Sequence, residues 1–212
     1  MSDDRGTVFV VDDDPSVRRG LVRLLKAAGF DSVAFDTADA FRQAVAPERA
    51  GCALLDVQMP GTDGMSLHRQ LRDGGYTMPI IFLTGHGTIP MSVQAMKDGA
   101  MDFLTKPVDD TALLAAVRRA LQRDRDGRAD HQEAAETRRR ATTLTPREHE
   151  IMRFILTGRL NKQIGYALGI SEKTVKVHRA RVMEKMGVES VAELVRLTEK
   201  AGIEPAPEPG PP

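Results

Sequence analysis

The sequence predicts an α/β domain, built on a five-stranded, parallel, doubly wound sheet, that is joined by a helical linker to an all-α domain of four helices. Two observations lead to this prediction. In the first half of the chain, short apolar runs alternate with segments of helical spacing, which is the pattern of repeated βα units. From residue 142 onward, four short helical patterns follow one another without strand signals.

Five short apolar segments are the predicted strands. Two of them contain the runs VFVV and IIFL, whose continuous apolar character indicates burial on both faces of a parallel sheet. We therefore predict a first domain over residues 1–122, with right-handed crossovers between its strands. The five segments are TVFVVD (7–12), SVAF (32–35), CALLD (52–56), PIIFLT (79–84) and MDFLT (101–105).

The chain changes character after Leu121. Residues 122–140 carry six basic and five acidic residues and offer only alanine as an apolar filler. This composition predicts a solvated helical linker over 123–141, with Gly127 as a weak point. The last segment, 204–212, is rich in proline and is predicted to be a disordered tail.

Capping residues mark the helices of the second domain, 142–203. Thr145, with Glu148 three positions on, forms a capping-box pattern at the first helix. Asn161 and Ser171 are the predicted caps of the second and third helices. Apolar residues of the fourth helix form a predicted dimer surface, which consists of Val191, Leu194 and Val195.

Composition restricts the classes of protein to consider. No apolar stretch approaches the roughly 20 residues that span a bilayer, and the acidic start lacks the basic region of a signal peptide. We therefore expect a cytoplasmic protein with no membrane partner. The formal net charge is zero, yet residues 159–185 hold seven basic and two acidic residues. This patch indicates an anionic partner for one module, although a solvated helix face would give a milder form of the same bias.

Polar residues stand at the ends of four predicted strands. If the strand order is 2-1-3-4-5, the ends of strands 1 and 3 face each other across a crevice, the usual ligand site of such sheets. Clustered carboxylates without histidine or cysteine predict Mg²⁺ as the bound cation. The residues are Asp12, Asp13 and Asp14 at the end of strand 1, Asp56 at the end of strand 3, Thr84 at the end of strand 4 and Lys106 after strand 5.

An aspartate beside Mg²⁺ can attack a phosphoryl group and hold it as an acyl phosphate. Asp56 would be this nucleophile, Lys106 would neutralise the phosphoryl charge, and Thr84 would hydrogen-bond its oxygens. Each residue also has an ordinary explanation, as a helix cap, a turn former or part of a surface turn. Because these residues all fall at strand ends of one domain, the interpretation as a phosphoryl site is favoured over separate caps and turns.

Four segments, VFVVDDDPSVRRGL, LLDVQMPGTDG, IIFLTGHG and DFLTKPVD, resemble the receiver domain of bacterial two-component response regulators. The resemblance covers roughly residues 5–122 and implies that a histidine kinase phosphorylates Asp56. It also implies a Mg²⁺ site formed by Asp13, Asp56 and the backbone carbonyl of Gln58, with Asp12 assisting.

The same resemblance implies a switch and a cis peptide. Thr84 and Lys106 match the residues that contact the phosphoryl group. Phe103 occupies the position of the aromatic switch residue, which is more often a tyrosine in the family, and Lys106–Pro107 matches the family's cis bond. Gln58 and His86 stand where the family tunes the lifetime of the phosphoryl group.

The segment LTPREHEIM…GRLNKQIGYALGISEKTVKVHRARVMEKMGV resembles the LuxR-type DNA-binding domain, over about residues 142–203. Its third helix starts with polar residues suited to the major groove of DNA, while Val175, Val182 and Met186 form its inward stripe. By position, Lys176 and Val177 match base readers. The candidates for phosphate contacts are Lys173, Thr174, Arg179, Arg181, Asn161 and Lys162.

These features predict a transcriptional response regulator of the FixJ-like, NarL/LuxR-type class. Phosphorylation by a sensor histidine kinase would promote formation of a homodimer and binding to a pseudo-palindromic promoter site in double-stranded DNA, with RNA polymerase as a further partner. One alternative is a phosphatase with an aspartyl nucleophile, but Gln58 stands where such enzymes typically need a second acid. Another is a constitutive DNA-binding protein that uses its receiver only for dimerisation.

Overall fold

One parallel sheet organises the first half of the chain. The computed structural model describes residues 6–85 and 88–207, and this part forms two units that divide between Gly127 and Arg128. All strand pairs are parallel and the order is β2-β1-β3-β4-β5, which confirms the predicted fold class. The strands are β1 Thr7–Val11, β2 Ser32–Phe35, β3 Gly51–Asp56, β4 Ile80–Thr84 and β5 Asp102–Thr105.

Helices cover both faces of this sheet. Val8 and Val10 pack into a core shared with α1 and α5, whereas Phe9 and Val11 pack into a second core with α2 and α3. Because both faces are covered, the open part of the sheet is the edge where its strands end. The helices of this half are α1 Pro15–Ala27, α2 Ala38–Ala44, α3 Gly64–Asp73, α4 Ile89–Lys97 and α5 Asp110–Ala141.

The predicted linker is the second part of α5, and the helix runs through Gly127 without a break. The expectation of a solvated linker is wrong in part. Asp124 is buried and accepts a hydrogen bond from the Gly51 amide at 3.0 Å, which ties α5 to the first unit. In the second unit, Ala134 and Thr137 are buried. Small side chains spaced along one helix face allow this close packing, which composition alone does not reveal.

In the second unit, as far as residue 207, four further helices surround a separate apolar core. At its centre, Glu148 closes the predicted capping box with Thr145 and accepts a hydrogen bond from Lys185 at 2.6 Å. The Lys185 ammonium, followed by the Thr145 amide, lowers the pKa of Glu148 to about 2. The helices are α6 Pro146–Leu156, α7 Asn161–Leu168, α8 Glu172–Met186 and α9 Val191–Lys200.

Two details of the predicted helices require correction. Leu160, not Asn161, is the N-cap of α7, since Asn161 lies inside the helix and its side chain accepts a bond from Arg179. Leu194, assigned to a dimer surface, is fully buried in the core of the second unit. Ser171 caps α8 as predicted.

The proline-rich tail is ordered over its first residues, contrary to the prediction of disorder from residue 204. Arg153 donates hydrogen bonds to the carbonyls of Glu204 and Pro205, and its own carbonyl accepts the Ala206 amide. Ala206 is buried as a result. Residues 208–212 lie outside the described part of the chain. None of the helices in the described residues combines the length and the apolar character that a bilayer-spanning segment needs.

Gly165 sets how closely α7 approaches the start of α8. A Cβ atom at this position would lie 2.7 Å from the carbonyl oxygen of Ile170, which is closer than backbone atoms allow. We expect Gly165→Ala to lower the free energy of unfolding by about 1–3 kcal/mol, measured by urea denaturation of the full chain. Gly127→Ala is the matched control, because a Cβ there meets nothing within 4 Å. Gly127→Ala should raise the free energy of unfolding by about 0.5–1 kcal/mol. An equal increase for Gly165→Ala would contradict the close approach of Gly165 to Ile170.

Candidate functional site

Three carboxylates meet at the edge where the strands end. Asp12 follows β1 and Asp56 ends β3, and these strands are neighbours in the sheet. Carboxylate oxygens of Asp12, Asp13 and Asp56 lie within 4.8 Å of one another. Asp12 and Asp56 are 0% and 6% exposed, whereas Asp13 is exposed to solvent. The cluster is therefore buried on one side and open on the other.

Lys106, which follows β5, joins the two buried carboxylates. Its Nζ lies 2.6 Å from Asp12 Oδ2 and 2.9 Å from Asp56 Oδ2. Burial acts to lower the pKa of Lys106, but its hydrogen bonds to Asp12 and Asp56 outweigh burial, and the pKa is raised. For Asp12, burial outweighs the hydrogen bond from Lys106, and the pKa of the carboxyl is raised. The ammonium therefore stays charged between the carboxylates.

Backbone amides and one arginine hold the carboxylates in place. Asp12 Oδ1 accepts the Asp14 amide at 3.0 Å, and Asp56 Oδ1 accepts the Gln58 amide at 3.2 Å. Asp14 turns away from the cluster and caps α1. Arg18 donates to the Asp12 carbonyl at 2.6 Å, a contact that the sequence analysis missed. Its only signal in the sequence is its place one turn after the Asp14 cap.

The donor set fits a divalent cation. Three carboxylates face a single ammonium, so about two negative charges remain uncompensated on oxygen ligands when all three are ionised. Oxygen ligands with an open, solvent-exposed side suit Mg²⁺, which keeps several waters.

Thr84 and Phe103 lie on the same face of the sheet. Phe82 pairs with Phe103 across β4 and β5, and Thr84 is two residues beyond Phe82 on the same strand. Thr84 is fully buried and its carbonyl accepts the Lys106 amide at 2.6 Å. Phe103 is half-buried, with its ring centroid 6.1 Å from that of Phe82. The Lys106–Pro107 bond is cis, as predicted, and His86 lies outside the described residues.

A second group of functional candidates lies on α8. Val175, Val182 and Met186 are fully buried, which confirms the inward stripe of this helix. The opposite face is mostly polar; its apolar side chains are Ala180 and Val177, and Val177 is 47% exposed. An exposed apolar side chain among cations is suited to contact with the methyl group of a thymine. The exposed candidates for DNA contact are Lys162, Lys173, Thr174, Lys176, Val177 and Arg181.

Two candidates for phosphate contact are already engaged with each other. Arg179 Nη1 donates to Asn161 Oδ1 at 3.2 Å, which links α8 to the first turn of α7, and both residues are only partly exposed. Lys176 lies 3.3 Å from Glu172 one turn earlier, an exposed pair that costs little to break. Lys176 is therefore free to change partner, whereas Arg179 and Asn161 act together.

Each of the two units matches a known protein family. Residues 8–118 match the response regulator receiver domain, and residues 142–198 match the bacterial regulatory proteins of the luxR family. Both matches agree with the parallel sheet and with the helical unit that carries α8.

Full-length relatives share both domains. The chain is 44% identical to Nodulation protein W of Bradyrhizobium diazoefficiens, covering 94% of this chain and 88% of that protein. It is 43% identical to the transcriptional regulatory protein FixJ of Azorhizobium caulinodans, covering 94% of each. The solved structure of the response regulator StyR matches with a TM-score of 0.78 and 46% identity, covering 92% of this chain and 98% of that one. The chain thus belongs to the two-component response regulators that combine a receiver domain with a LuxR-type DNA-binding domain and regulate transcription.

Proposed function

We propose that Asp56 accepts a phosphoryl group from a sensor histidine kinase, and that phosphorylation promotes dimerisation and promoter binding. The observation that carries the proposal is the Lys106 ammonium, which bonds both Asp12 and Asp56 at the open edge of the sheet. Measuring phosphoryl transfer from a small donor to the wild-type chain and to an Asp56 variant tests directly whether Asp56 is the acceptor.

The residues of the site divide the chemistry among them. An Asp56 oxygen forms the new bond to phosphorus, and the bond to the donor's leaving group breaks. Lys106 can then pair with the phosphoryl oxygens, and the Thr84 hydroxyl can hydrogen-bond to them. Asp12, Asp13, Asp56 and the Gln58 carbonyl would hold Mg²⁺. When bound, Mg²⁺ supplies positive charge that reduces repulsion between the carboxylates and the phosphoryl group.

The chain would catalyse only its own phosphorylation and dephosphorylation. Rearrangement of Lys106 and Thr84 around the phosphoryl group would bias the receiver between two states. Phe103 lies on the face of the sheet that carries Thr84, which supports a role for its ring in reporting that change. The exposed stripe on α4, which consists of Ile89, Val93 and Met96, supports dimerisation because such a patch favours a protein contact.

A groove beside the site offers a docking surface for the kinase. It has a volume of about 510 Å³ and lies between α1 and the segment after β5. Its apolar lining includes Leu24 and Val108, and Lys106 also lines it. Because Lys106 also bonds Asp56, a partner seated in this groove would have its phosphorylated side chain close to the acceptor.

We expect Gly20→Gln to slow phosphoryl transfer from the kinase by about 10-fold or more. Gly20 lines the groove, and a Cβ there meets nothing within 4 Å, so the larger side chain fills the groove without disturbing the domain. The measurement uses the sensor kinase that labels the wild-type chain fastest among those of the source genome. Labelling by acetyl phosphate should be unchanged. Arg19→Gln, on the same helix outside the groove, is the control, and equal slowing by both variants would refute this docking site.

For the DNA-binding domain, we propose that Lys176 and Val177 read bases in the major groove. Lys162, Lys173, Thr174 and Arg181 would contact phosphates, and the Arg179–Asn161 pair would do so as a unit. A dimer would place two copies of α8 on a pseudo-palindromic site. RNA polymerase is the further partner that promoter binding implies.

A further inference from the structure

The last part of α5 belongs to the DNA-binding unit and not to a free linker. Residues 128–141 fall within the second unit, where acidic residues of α5 meet basic residues of α9. Glu133 receives two bonds from the Arg196 guanidinium at 3.1 Å and one from Lys200 at 2.8 Å. Lys200 also bonds Asp130 at 2.7 Å. We call these four residues the α5–α9 clasp.

The clasp, together with Arg138, whose Nη1 donates to the Ala201 carbonyl at 3.2 Å, forms the polar attachment of this helix to α9. Exposed ion pairs are individually weak, but a bidentate arginine within a four-charge network is the arrangement in which they contribute. Hydrogen bonds from Arg196 and then from Lys200 lower the pKa of Glu133 to about 2. The apolar part of the contact is small, since it consists of alanines: Ala134 is buried and Ala141 is partly buried against the core of the second unit. Docking of the helix should therefore depend on the clasp.

Beyond the clasp, Arg140 contacts the end of the recognition helix α8. Its Nη1 donates to the Met186 carbonyl at 2.9 Å, and its Nε lies 2.9 Å from Glu136 on the preceding turn. The last carbonyls of a helix lack partners within it, and a cation there is also favoured by the helix dipole. The guanidinium packs against Gly187, where a Cβ would lie 2.6 Å from Nη1. Arg140 thus caps α8 from another helix.

We propose that Arg140 is a positioning residue for DNA recognition: it fixes the C-terminal end of α8 to α5, and the clasp holds α5 in place to do so. The inference rests on the proposed role of α8 in reading DNA. The 15 residues of α8 form a rod about 22 Å long, so a small tilt at its anchored end displaces Lys176 and Val177 near the other end. Arg140 acts through α8 and needs no contact with DNA.

The test measures DNA binding by the full-length, phosphorylated protein. The probe is a duplex obtained by sequence selection with the wild-type chain, and a scrambled duplex reports non-specific binding. We expect Arg140→Gln to weaken specific binding about 3- to 10-fold while leaving non-specific binding and the salt dependence unchanged. Arg140→Lys, which keeps the charge, should recover part of the loss. A phosphate contact or a general loss of folded protein would instead weaken binding to both duplexes.

The clasp provides a second, independent perturbation. Glu133→Arg should produce the same selective loss, and the swap Glu133→Arg with Arg196→Glu should restore binding. Asp126→Arg makes the same change of charge on the same helix but outside the clasp, and should bind as the wild type does. Wild-type binding by both Arg140→Gln and Glu133→Arg would overturn the inference. A different result would refute the proposed function itself, namely a wild-type chain that shows no preference for any selected duplex.

Discussion

Replacing Asp56 with asparagine is expected to abolish phosphorylation of the chain. The side chain keeps its shape, but an amide oxygen is a poor nucleophile and forms no stable acyl phosphate. The measurement is the stoichiometry of phosphoryl groups incorporated from acetyl phosphate with Mg²⁺, which should fall from about one per wild-type chain to none. We also expect phosphorylation of the wild type to cause dimerisation, seen in sedimentation as an increase in molecular mass. This increase should be absent for the variant.

Asp73→Asn is the matched control for this experiment. Asp73 is an exposed carboxylate of the same domain whose nearest cation is the neighbouring Arg72, outside the cluster. The Asp73→Asn variant should be phosphorylated to the same extent as the wild type. Chelation of Mg²⁺ should prevent labelling of the wild type and of this variant. Undiminished labelling of the Asp56→Asn chain would show that another group is the acceptor and would remove the assignment of Asp56.

Lys176→Ala should weaken specific DNA binding by about 1–3 kcal/mol, roughly 5- to 150-fold, if Lys176 reads a base. The side chain is exposed, and its weak pair with Glu172 leaves it free to reach a base edge. Titration of a selected duplex with the phosphorylated chain at several salt concentrations measures both the affinity and its salt dependence. Discrimination between the selected base and its alternatives at one position should be lost at the same time.

Lys162→Ala separates this effect from a simple loss of positive charge. Lys162 is an exposed lysine at the start of α7, so we expect it to contact phosphate. Its removal should weaken binding to all sequences alike and reduce the salt slope by about one. If Lys176→Ala and Lys162→Ala behave identically, Lys176 is a phosphate contact and the base-reading assignment is wrong.

The fold and the main elements of the phosphoryl site follow from local patterns in the sequence. Continuous apolar runs identify buried parallel strands, and parallel strands bring their carboxyl ends to one edge. With the strand order 2-1-3-4-5, the same rule places Asp12 and Asp56 together. The position of Lys106 at the same edge follows from the same rule. Capping signals located α6 and α8 equally well, because a cap acts through residues only three positions away.

Contacts between residues far apart in sequence could not be anticipated in this way. The linker was expected to be solvated because its composition is polar, yet Asp124 bonds Gly51 and Glu133 bonds Arg196. The tail was expected to be disordered, yet Ala206 packs against α6. In each case a few specific hydrogen bonds decide the outcome, and no periodic pattern encodes them.

The sequence by itself determined which residues are the candidates for the chemistry: the acidic cluster, its lysine and the basic face of one helix. Periodicity and chain direction suffice for this, since they fix where each side chain emerges from its strand or helix. Only the tertiary structure decided how these groups are held. Arg18 on the Asp12 carbonyl and Arg140 on the end of α8 depend on long side chains that reach across packed elements. Such contacts arise from three-dimensional packing, which the local pattern of residues does not specify.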